Sequence, residues 1–240
     1  MLTDEQFELL ENPEWRVRNL YSIVDKESKL IPFSPNYVQD LVNKDRQLRQ
    51  LILKFRQVGM TTNEIVHMFD FARWNKNVNA GILAHDRESL EKIFRMVWTL
   101  YENMPGDLKP TLDKGGGSKY AMRFPEQNST IFATLKLRGG TTHWLHISEA
   151  AFKAENDIKA TLESVPLHGR VTMETTPNGF NHYRKRWKRK NSTYKKFFFP
   201  WFIFNQYIIP TDKAFEQLNV TADEWEFIKK AIVTGKQNFL

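Results

Sequence analysis

A chain of 240 residues, 41% hydrophobic and 13% aromatic, holds apolar material for one large domain or two small ones, which excludes a disordered chain. The absence of cysteine excludes a disulfide framework and any thiolate zinc site, and no apolar run reaches the ~20 residues that span a bilayer. A net charge of +7 favours a polyanionic partner, and the acidic opening MLTDEQFELLENPEW lacks the apolar core of a secretion signal.

In chain order, a short helix over 33–42 precedes an apolar strand at 51–55. A helix over 61–75 follows, opened by Thr61 with Glu64 in its first turn. A second apolar strand spans 78–85, then 88–104 shows helical apolar spacing until Pro105 and Gly106 stop it. The stretch 112–120 is a glycine-rich loop with basic flanks, and 120–124 and 129–137 pair as a hairpin across PEQN. Strands at 143–148, 169–176 and 195–204 follow, with a helix running through Ile158 to Val165 and a last amphipathic helix over 221–233. Strands alternating with helices predict an α/β fold, a mostly parallel sheet with helices on both faces.

Such sheets bind ligands beyond the carboxyl ends of their strands. Four strand ends carry polar groups here: Arg56–Thr62, His85–Asp86, Ser148–Glu149 and Thr175–Thr176. The stretch LILKFRQVGMTT runs from strand through turn to helix, the layout of a phosphate-binding P-loop. Set against G-x-x-x-x-G-K-[ST], Gly59 fills the second glycine and Thr61 the hydroxyl that ligates Mg²⁺. Met60 occupies the lysine position and Lys54 the first glycine, so either the loop has lost its phosphate lysine or Lys54 supplies it from the other end. Backbone amides of Gln57, Val58, Gly59, Met60, Thr61 and Thr62 would cradle the anion, with Arg56 as a second cation.

Glu149, after the apolar run HWLHIS, suits a general base, and Ser148 beside it can hold a metal-bound water by hydrogen bond. Thr175 and Thr176 either sense a γ-phosphate or cap their strand. Arg138, in LRGGTTH, is either a solvated loop arginine or a finger that reaches a neighbouring subunit's phosphate. The Gln39 carboxamide suits an adenine edge, though its spacing alone favours a helix-surface role. Tyr183–Lys196 holds eight Lys/Arg with three aromatics interleaved and no acid, either a solvated helix face or a nucleic-acid surface centred on Arg184, Lys185, Lys188 and Arg189.

Together these residues resemble the ATPase domain of the large terminase subunit of tailed bacteriophages, the motor that packages DNA. The resemblance runs from about Asn12 to Phe204. Gln39 matches the family's Q-motif glutamine, Lys54 the early lysine of a deviant Walker A, and LHISEAA a Walker B with Ser148 for aspartate and Glu149 as catalytic glutamate. METTPNG resembles the coupling motif, and Arg138 falls where the family carries a trans-acting arginine.

The resemblance implies a P-loop NTPase fold of the ASCE type, with a lead-in over 1–50, an ATPase core over 51–204 and a helical or linker segment over 205–240. It implies ATP and Mg²⁺ as cofactors, and double-stranded DNA, a portal protein and a small terminase subunit as partners. The working form would be a homo-oligomeric ring in the host cytoplasm, without a membrane. No later acidic cluster suggests the family's nuclease domain, so either an isolated ATPase domain, the favoured reading, or a naturally short relative is expected. A helicase-like or repair ATPase, or a degenerate P-loop module that binds DNA or portal, are the competing readings.

Overall fold

The computed structural model describes residues 3–113, 119–204 and 221–226. They belong to two units, Met1–Pro200 and Trp201–Leu240.

In the first unit, local capping starts each lead-in element. Thr3 and Gln6 form a capping box on α1 (Asp4–Glu11), and Asn12 caps α2 (Pro13–Asn19), whose proline sits in the first turn where no N–H is needed. A small antiparallel hairpin, β1 (Ser22–Val24) with β2 (Leu30–Pro32), leads into α3 (Tyr37–Lys44). A second capping box, Asn36 with Gln39, opens that helix.

The main sheet takes its strands from β3 (Arg49–Lys54), β4 (Asn79–Leu83), β5 (Ala121–Phe124), β6 (Ser129–Thr134), β7 (Trp144–Ile147), β8 (Arg170–Thr175) and β9 (Lys195–Phe199). Their order is β5-β6-β4-β7-β8-β3-β9, parallel throughout except for β5 at one edge. The parallel crossovers use α4 (Met60–Trp74), α5 (Arg87–Glu102) and α6 (Glu155–Leu162), while α7 (His182–Lys188) joins β8 to β9. Because both faces are covered, central strands such as WLHI are buried at every position.

Side chains alternate between the two faces. Ala80, Ile82 and Trp144 join a core with α4 and α5 residues such as Phe69 and Val97, whereas Leu83, Leu145 and Ile147 join Ile158 and Tyr183. A buried ion pair ties the lead-in to α4: Arg16 donates to Asp70 at 2.8 and 2.7 Å, and Tyr21 adds a third bond at 2.8 Å. Both charges are satisfied, which is the condition for tolerating them inside.

His67 on α4 has a buried Nε2 that finds no hydrogen-bond partner among the described residues. Burial, reinforced by Arg46, Arg170 and Arg18, lowers its pKa well below 6.5. The unfolded chain therefore binds more protons below the free-imidazole pKa, and stability falls as pH drops through it. Acidifying from about pH 7.5 to about pH 5.5 is expected to cost on the order of 1 kcal/mol through this group. Denaturant melts of His67→Leu at the two pH values should show that share of the acid sensitivity removed.

The structure moves several predicted boundaries. The last strand was expected over 195–204, but β9 stops at Phe199 because Pro200 has no N–H to continue the ladder. The α4 N-cap is Gly59 rather than a threonine, and Glu64 pairs with Arg46 at 2.8 Å instead of closing a capping box. Residues 114–118 of the glycine-rich stretch lie outside the described residues. In the second unit Trp201–Ile203 form a 3-10 turn, and residues 222–226 are helical, capped reciprocally by Thr221 and Glu224. The rest of the helix expected over 221–233 lies outside the described residues. Among the described residues no helix is long and apolar enough to cross a membrane.

Candidate active site

The turn after β3 is shaped by backbone geometry. Gln57 and Gly59 both adopt positive φ, 62° and 77°, and α4 starts at Met60 with no side-chain cap and no acid in its first turn. Its leading N–H groups are thus left for an anion, with the positive end of the helix behind them. Asn36 Nδ2 donates to the Val58 carbonyl at 3.0 Å and Gln39 Nε2 to the Gly59 carbonyl at 2.7 Å, so α3 holds the turn from behind. A Cβ at Gly59 would lie 2.8 Å from that Gln39 nitrogen, which together with the positive φ reserves the position for glycine.

Gln39 is buried, and its Oε1 also accepts from the Asn36 N–H at 2.8 Å. One N–H and one lone pair of its carboxamide stay uncommitted by these two bonds. Arg56 and Gln57 are exposed on the turn, Val58 is buried, and Thr62 is half-buried. Met60 points into the core, 1% exposed.

Lys54 ends β3 with its side chain inside the site rather than in solvent. Its Nζ lies 2.9 Å from Glu149 Oε1 and 3.4 Å from Glu174 Oε2. Burial alone would lower the Lys54 pKa, but the charges of Glu174 and Glu149 outweigh it and raise the pKa. The ammonium is therefore fixed as a cation at the carboxyl end of the sheet.

Glu149 follows β7 in a left-handed conformation, φ 49° and ψ 50°, which turns its carboxylate back over the strand ends. Its Oε2 accepts from the Thr176 N–H at 2.9 Å and the Thr176 hydroxyl at 3.0 Å, and lies 3.3 Å from the Thr175 hydroxyl, whose proton is shared with the Thr176 carbonyl at 2.9 Å. Thr175 also accepts from the Ala151 N–H at 3.2 Å, which binds the segment after Glu149 to the end of β8. The structure thus brings Lys54, Glu149, Thr175 and Thr176 into one hydrogen-bonded group.

Sequence reasoning missed the centre of this group. Glu174, on β8, is wholly buried and accepts hydrogen bonds from the Thr61 hydroxyl and, at 3.3 Å, from Ser148. His146 Nε2 lies 3.5 Å from the same oxygen. Burial pushes the Glu174 pKa up, but Lys54, His146 and Thr61 together bring it down to about 2, so it is ionised. The signal was present: an acid in VTMETT and a histidine in HWLHIS sit inside strands otherwise built for burial on both faces.

Other predicted residues stand apart. Arg138 is exposed on the loop with Gly139 and Gly140, both at positive φ, and among the described residues it pairs with none of these carboxylates. On α7, Lys185 and Lys188 are exposed, as is Arg189 just after it, whereas Arg184 lies over the Phe180 ring at 4.0 Å. The interleaved aromatics face inward: Tyr183 is buried and donates to the Met173 carbonyl at 3.3 Å, and Trp187 and Tyr194 pack on the same core. Among the described residues no three acids or histidines converge as a ready-made metal centre.

No family model matches the sequence. The structure is similar to the ATPase domain of the large terminase of Thermus phage P74-26, with TM-score 0.55 and 17% identity over 88% of this chain and 94% of that one. It is also similar to the large terminase of bacteriophage HK97, with TM-score 0.62 and 14% identity over 95% of this chain and 52% of that one. The chain thus spans about half of the HK97 protein. A mostly parallel seven-stranded sheet, with its polar groups gathered at the carboxyl strand ends, is therefore the α/β fold of phage large-terminase ATPase domains.

Proposed function

We propose that this chain is the ATP-hydrolysing motor domain of a phage large terminase, which drives double-stranded DNA into a procapsid. The observation that carries the reading is the meeting of Lys54, Glu149 and the Thr175–Thr176 pair beside an uncapped helix N-terminus. Lys54 and Arg56 neutralise the β- and γ-phosphates, while the amides from Gln57 to Thr62 cradle them. Glu149, held by the N–H and hydroxyl of Thr176 with the Thr175 hydroxyl beside them, takes the proton of the attacking water. The same bonds let those hydroxyls report the state of the carboxylate to the segment that follows.

The residues fit Mg²⁺: the Thr61 hydroxyl and Ser148 lie beside Glu174, whose buried Oε2 has no hydrogen bond among the described residues. When bound with the nucleotide, Mg²⁺ supplies charge neutralisation of the phosphates, with Thr61 as direct ligand and Ser148 through water. Gln39 offers its remaining N–H and lone pair to adenine. Arg138, on its exposed loop, acts on the nucleotide of the neighbouring subunit in a homo-oligomeric ring. That ring works in the host cytoplasm with a portal protein and a small terminase subunit as its partners.

The test is phosphate release from ATP by the assembled ring, with and without duplex DNA. The reading expects release that requires Mg²⁺ and no strand displacement. An assembled ring that releases no phosphate would identify a degenerate binding module instead, and unwinding would identify a helicase-like enzyme.

DNA contact is assigned to the exposed end of α7. Neutralising Lys185, Lys188 and Arg189 together is expected to weaken duplex binding and to flatten its salt dependence by roughly one log unit per lost phosphate contact. An unchanged slope in a salt titration would give this surface to another partner.

A further inference from the structure

We propose that Glu174 supplies the carboxylate that Ser148 lacks, reaching from the neighbouring strand to orient Thr61 and to balance the divalent cation that accompanies the nucleotide. The inference rests on the nucleotide reading of the loop.

Glu174 lies between two parallel neighbours, with β8 paired to β7 on one side and to β3 on the other, and Ile52 is its register partner. An ionised acid at such a place costs desolvation that a hydrocarbon side chain would avoid, so packing alone gives no reason for it. Its two oxygens do different things. Oε1 accepts from Thr61 and Ser148, while among the described residues Oε2 has only the Lys54 ammonium at 3.4 Å and no hydrogen bond.

Two consequences follow from the chemistry. Because the Thr61 hydroxyl gives its proton to Glu174, its lone pairs are directed away from the carboxylate and are available to a cation. And because Lys54 is shared with Glu149 at 2.9 Å, phosphates that draw the lysine out leave Oε2 buried without a counter-charge. A divalent cation at Thr61 restores it. Ser148 keeps its hydroxyl on the same carboxylate, which leaves the acid one strand over from the position where LHISE lacks it. Glu174 acts through Thr61 and water, so it is a positioning residue.

The probe is Mn²⁺ binding to the ATP complex, followed by the electron paramagnetic resonance of free Mn²⁺, beside ATP binding measured in chelator. Glu174→Gln keeps the shape and removes the charge. It is expected to lower Mn²⁺ affinity about 10- to 100-fold, the effect of losing an outer-shell partner, while ATP affinity in chelator stays within about threefold. The double variant Ser148→Asp, Glu174→Gln returns a carboxylate to Thr61 and is expected to recover Mn²⁺ affinity. Unchanged Mn²⁺ affinity in the single variant, or an equal loss with and without metal, would overturn the role.

Should the single variant fail to fold, the double variant decides. Mn²⁺ binding near the wild-type level supports the relocated acid, and ATP binding without Mn²⁺ binding overturns it. A wild-type chain that binds no ATP in chelator or with Mn²⁺ would overturn the nucleotide reading itself, an outcome separate from any behaviour of Glu174.

Discussion

Replacing Glu149 with alanine is expected to leave ATP bound and to slow its hydrolysis by about 10²- to 10⁴-fold, the share a positioned general base supplies. The geometry gives the reason. One oxygen of Glu149 is held by the Thr176 N–H and the Thr176 hydroxyl, so the carboxylate is fixed before substrate arrives. Its other oxygen meets Lys54 at 2.9 Å, and departure of the lysine to the phosphates frees it to accept a proton. Glu149→Gln keeps one acceptor oxygen for the threonine donors but has no basicity and loses the ion pair with Lys54, so it should match the alanine variant in turnover. Single-turnover hydrolysis and equilibrium ATP binding measure the two parts separately. Wild-type turnover in either variant would remove Glu149 from the role of base.

Lys54→Ala is expected to damage both nucleotide handling and the fold. Loss of a charged donor aimed at the phosphates should lower hydrolysis by about 10²- to 10³-fold, with weaker ATP binding. Glu174 is then left wholly buried without a cation, a break that costs about 3–5 kcal/mol where one partner of a buried pair is removed. At the 2–4 °C per kcal/mol typical of a unit this size, melting should fall by about 10 °C. Adding Met60→Lys should not rescue the variant, although it recreates the ordinary phosphate-loop lysine in sequence. Met60 is 1% exposed and points into the core, so a lysine there would bury a charge instead of presenting it. Rescue by that second change would give the phosphate role to position 60 and overturn the assignment of Lys54.

The alternation of apolar strands with amphipathic helices made the sheet and its crossovers legible, because parallel strands buried on both faces read as short apolar runs. Residues at strand ends were legible for the same reason, since a polar group just after such a run stands out. Gly59, Glu149 and Thr175–Thr176 belong to that class. Thr61 does not cap α4, because the positive φ of Gly59 starts the helix one residue earlier, and its hydroxyl turns instead to Glu174, a partner 113 positions away that local patterns do not reveal. Gln39 turned out to brace the loop carbonyl of Gly59, a contact that only the packing of α3 behind the turn creates. Glu174 and His146 were hidden by their position within apolar strands, where the eye reads core. The basic stretch on α7 was read as charge mixed with aromatics; packing separates them, with rings inward and Lys185, Lys188 and Arg189 outward.

Lys54 as the phosphate lysine is the claim on which the rest depends, and a crystal structure with Mg²⁺ and a non-hydrolysable ATP analogue tests it directly. The account predicts that Lys54 Nζ leaves Glu149 and lies about 3 Å from oxygens of the β- and γ-phosphates, with Thr61 at the metal. A nucleotide bound while Lys54 stays paired to Glu149 and Glu174 would contradict it.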